Sequence, residues 1–508
     1  MEQTHRDLAK VTELEIENKL LREEVRLLKA KLFGRSSESK KALSPDEQPN
    51  LFCVSELESD ESEQASAEET VTYTRRKPRG KRKPIPDHFP RREVLHDISD
   101  EEKQCACGAK RTRIGEETSE QIDLIPAKVE VIRHVRPKYA CPDCEGLEST
   151  NGAVVIAPAP ESMIPKSLAG PGLLADVITA KFADAIPFYR HEKRLARLGI
   201  ELSRTVMCQW AEKVADRCRP LIELMKRTAL SLPYLQIDET PIRVHGEEGK
   251  ANTTQSYMWA IRGAPRDGPQ VMLYFYSPTR SADFAKTLLL EYQGLVHTDG
   301  YSGYGFLEKV PGVAHLGCWT HARRKFSETI LATKKGKGGK KQSKAHRVLS
   351  YFGKLYQHER EADAAGMKGD SRAELRRTKS VPIAQALKAE LDALHPKVPP
   401  NSTLGKAIGY TRNQWPKLMR CLEHGEARLD TNLVENAIRP LVLGRKNWLH
   451  SGCPKGAESN AILFSMIETA KVNGWEPYAY LRFLFDRLPQ TAPEAYESLL
   501  PYIAKPSS

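Results

Sequence analysis

Between residues 8 and 33 the positions Val11, Leu14, Asn18, Leu21, Val25, Leu28 and Leu32, apolar but for Asn18, recur in steps of three and four. In a stretch without Pro or Gly, that spacing predicts a helix with Val or Asn at heptad position a and Leu at d, a short coiled coil over 1–33. β-branched a positions favour a parallel pair, and Asn18 at an a position fixes its register. Ile16, Leu20 and Leu27 are apolar off the seam, which also suits packing of the helix on its own domain, so both arrangements stay open. The periodicity ends at Gly34. Residues 34–86 are expected to be a disordered, charged linker, with an acidic block from Glu56 to Glu69 and a basic block from Arg75 to Lys83 broken by Pro78. Those blocks are either an interaction tail, its basic half lying along phosphates, or a solvated tether.

Helical periodicity returns over 165–230. Leu173, Val177, Ile178 and Phe182 form one face, Pro187 opens a second helix, Gly199 interrupts it, and Ser203 is placed to cap a third. Helix, glycine turn and capped helix is the order of a helix-turn-helix, and Arg190, Arg194, Arg197 and Arg204 suit DNA; plain helical packing explains the same pattern. From residue 231 the period changes. Tyr234–Val244, Tyr257–Ile261 and Val271–Tyr276 read as strands, Ala282–Leu290 as a short helix, and Gly294–Gly300 and Val313–Trp319 as two further strands. Three hairpin-like strands, a helix and two strands is the order of a ribonuclease-H-like fold, here the first part of a catalytic core over 231–330. Residues 331–425 then read as a basic loop (Lys334 to Lys344, mixed with glycines) and a helical insertion with Leu355, Leu375, Ala384, Leu387 and Leu391 as core. Residues 426–460 carry a helix that closes the core, and 461–508 form a C-terminal helical segment expected to fray from Pro501. The fold class is therefore multidomain, mixed α+β and α/β.

Composition sharpens this picture. The 508 residues hold 78 Lys and Arg against 66 Asp and Glu, a net charge of +12 that suits a polyanionic partner. No apolar run approaches the roughly 18 residues a membrane helix needs, and no secretory signal opens the chain. Ten cysteines are too sparse for a disulfide framework and fit a reducing, cytoplasmic setting with one metal site. Cys105 and Cys107 form one close pair, Cys141 and Cys144 another. Four thiolates suit tetrahedral zinc and leave no open position, so the module over 87–150 is expected to be structural, with two strands between Ile122 and Tyr139. Its basic residues, Arg111 to Lys138, are either a DNA contact or a solvated face.

The candidate chemistry lies in three acids. Asp238 and Asp299 sit on apolar strands, where an unpaired charge is expensive. Carboxylates on neighbouring strands can share a cation, and alternation turns Glu239 away from Asp238. The third acid is expected from the helix that starts near Asp430: Asn432, Glu435 and Arg439 share one face at spacings of three and four. Arg445 and Lys446 follow as a backbone-binding rim. Carboxylates in this number suit two magnesium ions, with manganese as a substitute, for phosphoryl transfer. His321 is either a neighbour of the scissile phosphate or a satisfied helix-start residue, and Cys318 is expected to be a small buried hydrophobe.

These residues fall in strings that resemble the IS66 family of bacterial insertion-sequence transposases, the large DDE-type protein of such elements. The strings include Arg136-Pro137-Lys138-Tyr139-Ala140-Cys141, Pro187-Phe188-Tyr189-Arg190, Ile237-Asp238-Glu239-Thr240 and His297-Thr298-Asp299-Gly300-Tyr301. They continue with Cys318-Trp319-Thr320-His321-Ala322-Arg323-Arg324, Asn432-Leu433-Val434-Glu435-Asn436-Ala437 and Gly444-Arg445-Lys446-Asn447-Trp448. The resemblance implies a catalytic triad of Asp238, Asp299 and Glu435, cleavage of double-stranded DNA at the element ends, and strand transfer into a target. It also implies small accessory proteins, and an enzyme in the bacterial cytoplasm that joins the nucleoid when bound to DNA. The chain departs from the family pattern in its C-x-C first cysteine pair and in Thr431, where Asn is usual; neither change removes an acid or a thiol. A nuclease that cuts without joining, and a non-enzymatic DNA-binding regulator derived from a transposase, are the competing readings.

Overall fold

The structure is a computed structural model and describes residues 2–33, 128–140, 154–332 and 343–504. The linker, the four paired cysteines and most of the basic loop lie outside the described residues. The chain divides into two units, residues 64–134 and the remainder. Within the smaller unit, residues 128–134 are described and form no strand, contrary to expectation. Val131 and Ile132 there are 92% and 68% exposed, so no facing strand gives this run a ladder.

The larger unit begins with α1 (Glu2–Phe33), a continuous helix, and a small antiparallel pair, β1 (Lys138–Ala140) and β2 (Val154–Ile156). Three helices follow: α2 (Pro171–Phe182), α3 (Phe188–Ala196) and α4 (Arg204–Ser231). Ser203 caps α4 as expected, its Oγ accepting from the Val206 N–H at 3.4 Å. Gly199, between α3 and α4, has φ +79°, the left-handed conformation that Gly adopts without a Cβ penalty. Leu195, Leu202, Trp210 and Val214 are nevertheless all buried in the same cluster as the central sheet, so these helices share its core.

That sheet contains β3 (Tyr234–Arg243), β4 (Gln255–Gly263) and β5 (Val271–Ser277) in an antiparallel meander. After α5 (Ala282–Leu288), β6 (Gly294–Thr298) and β7 (Val313–Gly317) add in parallel on the other side of β3, giving the order β5-β4-β3-β6-β7. β3 is central and covered on both faces, so its apolar run does not alternate with polar positions. Leu235 and Ile237 point into the cluster built with α2, α4 and the C-terminal helices, while Tyr234 points into a second cluster. This second core holds α6 (Trp319–Ala332) and the insertion: α7 (Lys344–Ala364), α8 (Gly369–Leu375), a π turn at Arg376–Ser380, α9 (Val381–Leu394) and α10 (Thr403–Glu423). Leu355, Ala384, Leu387 and Leu391 are buried there as expected, but Leu375 is only part-buried. The π turn that follows it brings Arg372 and Arg376 inward instead.

The chain closes with α11 (Asn432–Trp448), α12 (Pro454–Val472) and α13 (Pro477–Arg487). α12 protects the free edge of β5: Thr469 Oγ1 bonds the Met272 N–H at 3.0 Å and C=O at 2.8 Å, and Ser465 Oγ accepts from the Tyr274 N–H at 2.8 Å. The expected fraying from Pro501 does not occur through Ala504. Trp475 Nε1 donates to the Pro501 carbonyl at 3.1 Å, and the Tyr502 hydroxyl meets Thr228 at 2.8 Å.

Candidate active site

β3 and β6 run parallel with Gln236 opposite His297, so Asp238 and Asp299 are the next same-face positions along two adjacent chains. Asp299 lies just past the end of β6, in a turn where its Oδ1 accepts from the Tyr301 N–H at 2.8 Å. Gly300 beside it lets the Tyr410 ring lie against the backbone; a Cβ there would meet that ring at 2.6 Å. Asp238 Oδ1 accepts from the Glu239 N–H at 2.9 Å. Burial, then the charges of Glu435, Glu239 and Asp299, raise the Asp238 carboxyl well above the usual carboxylate range.

Glu435 enters from α11. The Asn432 N–H donates to Asp430 Oδ1 at 3.2 Å, starting the helix, and the Thr431 hydroxyl donates to Glu435 Oε1 at 2.8 Å. Arg324 Nη2 lies 3.4 Å from Glu435 Oε2, and His321 Nδ1 lies 3.8 Å from Oε1. Both belong to the start of α6, three residues apart and hence on one face. Cys318, His321 and Glu435 bring a sulfur, a ring nitrogen and a carboxylate oxygen within 4.8 Å of one another. Cys318 is buried, as expected, its Sγ 3.3 Å from the Thr431 hydroxyl oxygen; burial pushes its thiol up to about 12. It is therefore a neutral packing group that orients Thr431.

Glu239 faces away from Asp238. It is buried between Arg280, whose Nε donates to it at 2.6 Å, and the Tyr304 hydroxyl. Asn432 and Arg439 share α11 with Glu435, both part-buried. Lys446 is exposed, as a rim residue should be. Arg445 departs from that expectation: its Nη1 donates to Thr240 Oγ1 at 2.9 Å and to the Pro241 carbonyl, pinning α11 to β3. A guanidinium four residues on from Leu441, on the buried side of the helix, finds strand acceptors before it finds solvent. Gln236 carried no role in the sequence reading, and Thr431 entered it only as a helix-start residue and a departure from the family pattern. The signal for Gln236 was its parity: a polar side chain two positions before Asp238 on a buried strand must find partners.

The donor set suits a hard cation. The Asp238 carboxyl is disfavoured by burial and by the charges of Glu435, Glu239 and Asp299, a repulsion that a divalent cation would offset, although among the described residues the ligand atoms that lie within 4.8 Å of one another are those of Cys318, His321 and Glu435 rather than of the three acids. Asp238, Asp299 and Glu435 are the side chains that would hold it.

Comparison with known proteins gives the same direction. Residues 166–459 match the Transposase IS66 family, and residues 465–502 the IS66 C-terminal element. Residues 102–145, which include Cys105, Cys107, Cys141 and Cys144, match the zinc-finger binding domain of transposase IS66, which implies zinc. Residues 20–94 match a segment described as Transposase C of IS166 homeodomain. The uncharacterized protein y4jD of Sinorhizobium fredii (strain NBRC 101917 / NGR234) is 34% identical over 432 residues, 82% of this chain and 81% of that protein. The uncharacterized protein y4qI of the same organism is 30% identical over 499 residues, 95% and 88% of the two chains. Among solved structures, the Drosophila P element transposase strand transfer complex aligns with a TM-score of 0.33 and 11% identity, over 59% of this chain and 92% of that one. A DDE-type family implies a divalent cation, and among the described residues no helix is long and apolar enough to cross a membrane. With its central match spanning more than half of the sequence, the chain belongs to the IS66 transposase family.

Proposed function

We propose that this chain is a DDE transposase that cleaves double-stranded DNA at the ends of its element and joins the freed 3′-hydroxyl to target DNA. Asp238, Asp299 and Glu435 are its catalytic acids. The observation that supports the reading is that Asp238 on β3, in register with Asp299 past the end of β6, feels the charges of both Asp299 and Glu435 of α11. The sheet order supports a ribonuclease-H-like core: counted from β3, the five strands run 3-2-1-4-5, with the last two parallel to the first.

Magnesium ions held by the three acids would activate the attacking oxygen and stabilise the departing one. The chain's own groups do the rest. Thr431 and Arg324 fix the Glu435 carboxylate, which must be ionised to serve as a ligand. His321, beside Glu435, faces the position of the scissile phosphate or a flanking one. Asn432 and Arg439 line the same helix face, and exposed Lys446 follows the DNA backbone through charge alone. Water attacks first, leaving a 3′-hydroxyl; that hydroxyl then attacks the target phosphate. Two element ends need two active sites in one complex, and α1 supplies a means of pairing. Leu14, Leu21, Val25 and Leu28 on its seam are each about half exposed, although the same helix reaches α6 through Arg26, which donates to the Ala332 carbonyl at 3.3 Å. Small accessory proteins of the same element are further expected partners, and the enzyme works in the bacterial cytoplasm on nucleoid DNA.

The test uses Asp238→Asn, Asp299→Asn and Glu435→Gln in cleavage and joining assays on element-end DNA. Each is expected to lose at least about a thousandfold in rate, on the scale of removing electrostatic stabilisation from a transition state, while end binding persists. Unchanged cleavage and joining would remove these acids from the chemistry; no cleavage or joining by the wild type, with every biological effect intact in the three variants, would leave the regulator reading, and cleavage without any joining by the wild type would leave the nuclease.

A further inference from the structure

A chain of buried hydrogen bonds runs directly beneath the three acids, on the same face of the sheet. Gln236, Tyr234 and His297 are all fully buried. Gln236 lies two residues before Asp238 on β3, and His297 two residues before Asp299 on β6. Gln236 Nε2 donates to the Asp430 carbonyl at 2.9 Å and to the Tyr234 hydroxyl at 2.8 Å, while its Oε1 accepts from the Val434 N–H at 3.1 Å. A carbonyl on one side and an N–H on the other leave the amide a single orientation. The Tyr234 hydroxyl continues the chain to His297 Nδ1 at 2.9 Å.

We infer that Gln236 is a positioning residue that sets the register between Asp238 and Glu435. The inference deepens the proposed function and rests on it. The carboxamide spans the start of α11, bonding the peptide before the helix and the amide of Val434, which adjoins Glu435. β3 thereby holds the catalytic helix through two hydrogen bonds to main-chain groups, which a change of rotamer at α11 cannot release. A slip of α11 along β3 would strand a buried amide and two buried backbone groups, so the arrangement resists sliding where apolar contacts alone would tolerate it. Through Tyr234 and His297 the same network reaches β6, so each acid hangs from a member one or two residues away. Tyr234 bonds no residue of α11 itself; its hydroxyl reaches His297 on β6 and also accepts from the Arg428 N–H, in the loop before α11, at 3.4 Å.

The experiment measures Mn2+ binding to the full, zinc-loaded chain by loss of the free-ion electron paramagnetic resonance signal, with thermal unfolding alongside. Gln236→Leu and Gln236→Met remove the amide at similar volume. Both are expected to raise the Mn2+ dissociation constant about tenfold or more, the range seen when groups supporting metal ligands are removed, with cooperative unfolding retained. Tyr234→Phe, which keeps the Gln236 bonds to Asp430 and Val434, is expected to bind Mn2+ close to wild type. Asp238→Asn is the reference for a lost ligand. Wild-type affinity in both Gln236 variants, with Asp238→Asn impaired, would overturn the positioning role and leave the catalytic assignment standing. Wild-type affinity in Asp238→Asn would overturn the metal assignment and this inference with it. Non-cooperative unfolding of both Gln236 variants would make Gln236 a folding residue and overturn the inference as well.

Discussion

Asp430 shows how burial next to the catalytic helix becomes a pH dependence. Its Oδ1 accepts from the Asn432 N–H, yet burial raises the carboxyl from 3.8 to about 6. A carboxyl with a raised folded-state pKa binds its proton more tightly in the native state. Its contribution is therefore complete below about pH 4 and is lost as pH rises to about 6. Asp430→Asn keeps an acceptor for the same N–H without the charge. In denaturant titrations the variant is expected to gain up to about 2 kcal/mol on the wild type between pH 4 and 7, after discounting 1.36 kcal/mol per pKa unit for partial exposure. Parallel stability curves across that range would contradict the assignment. The places of Asp238 on a strand, of Asp299 at a strand end and of Glu435 on a helix were legible in the sequence, because strand and helix periods are local. Gln236 and Arg445 were not legible in the same way. Their roles depend on which backbone groups of α11 and β3 face each other, and that is fixed by tertiary packing.

Among the elements, the insertion is held by a charge cluster that helical periodicity does not announce. Arg376 is fully buried in the π turn. Its Nε and Nη2 each lie 2.7 Å from a Glu359 oxygen, and it also donates to the carbonyls of His424 at 2.6 Å and Ala427 at 2.8 Å. Arg372 Nη1 adds a 2.7 Å bond to Glu359. The guanidinium of Arg376 thus ties α7 to the end of α10 and to the loop that leads into α11, so the insertion braces the start of α11. Arg376→Met, which strands Glu359 and several carbonyls in the interior, is expected to lose about 3–5 kcal/mol of stability. A loss below about 1 kcal/mol in urea unfolding would show that the cluster does not carry this junction. Heptad and strand patterns predicted α1 and β3–β7 well, since each rests on a period that local sequence carries. Leu375 misled because a π turn changes the period from within, and the short, exposed run at 128–134 misled because alternation without a facing strand makes no sheet.

At the scale of the whole molecule, two hydrophobic cores meet on opposite faces of one five-stranded sheet, and Asp238 and Asp299 lie on its neighbouring strands β3 and β6, at or just past their ends. The family resemblance in the sequence agrees with the matches along the chain. The helices at 171–231 read as a separate segment in one dimension because their partners, β5 and α12, lie far away in sequence. The central claim is that Asp238, Asp299 and Glu435 form one cation site. Crystals soaked in manganese, with anomalous scattering recorded, test it most directly. The account predicts an anomalous peak within coordination distance of Asp238 and Asp299, with Glu435 beside it, that disappears in Asp238→Asn crystals. A well-ordered structure, soaked with and without bound DNA, in which manganese avoids these carboxylates or the three stand far apart would contradict it.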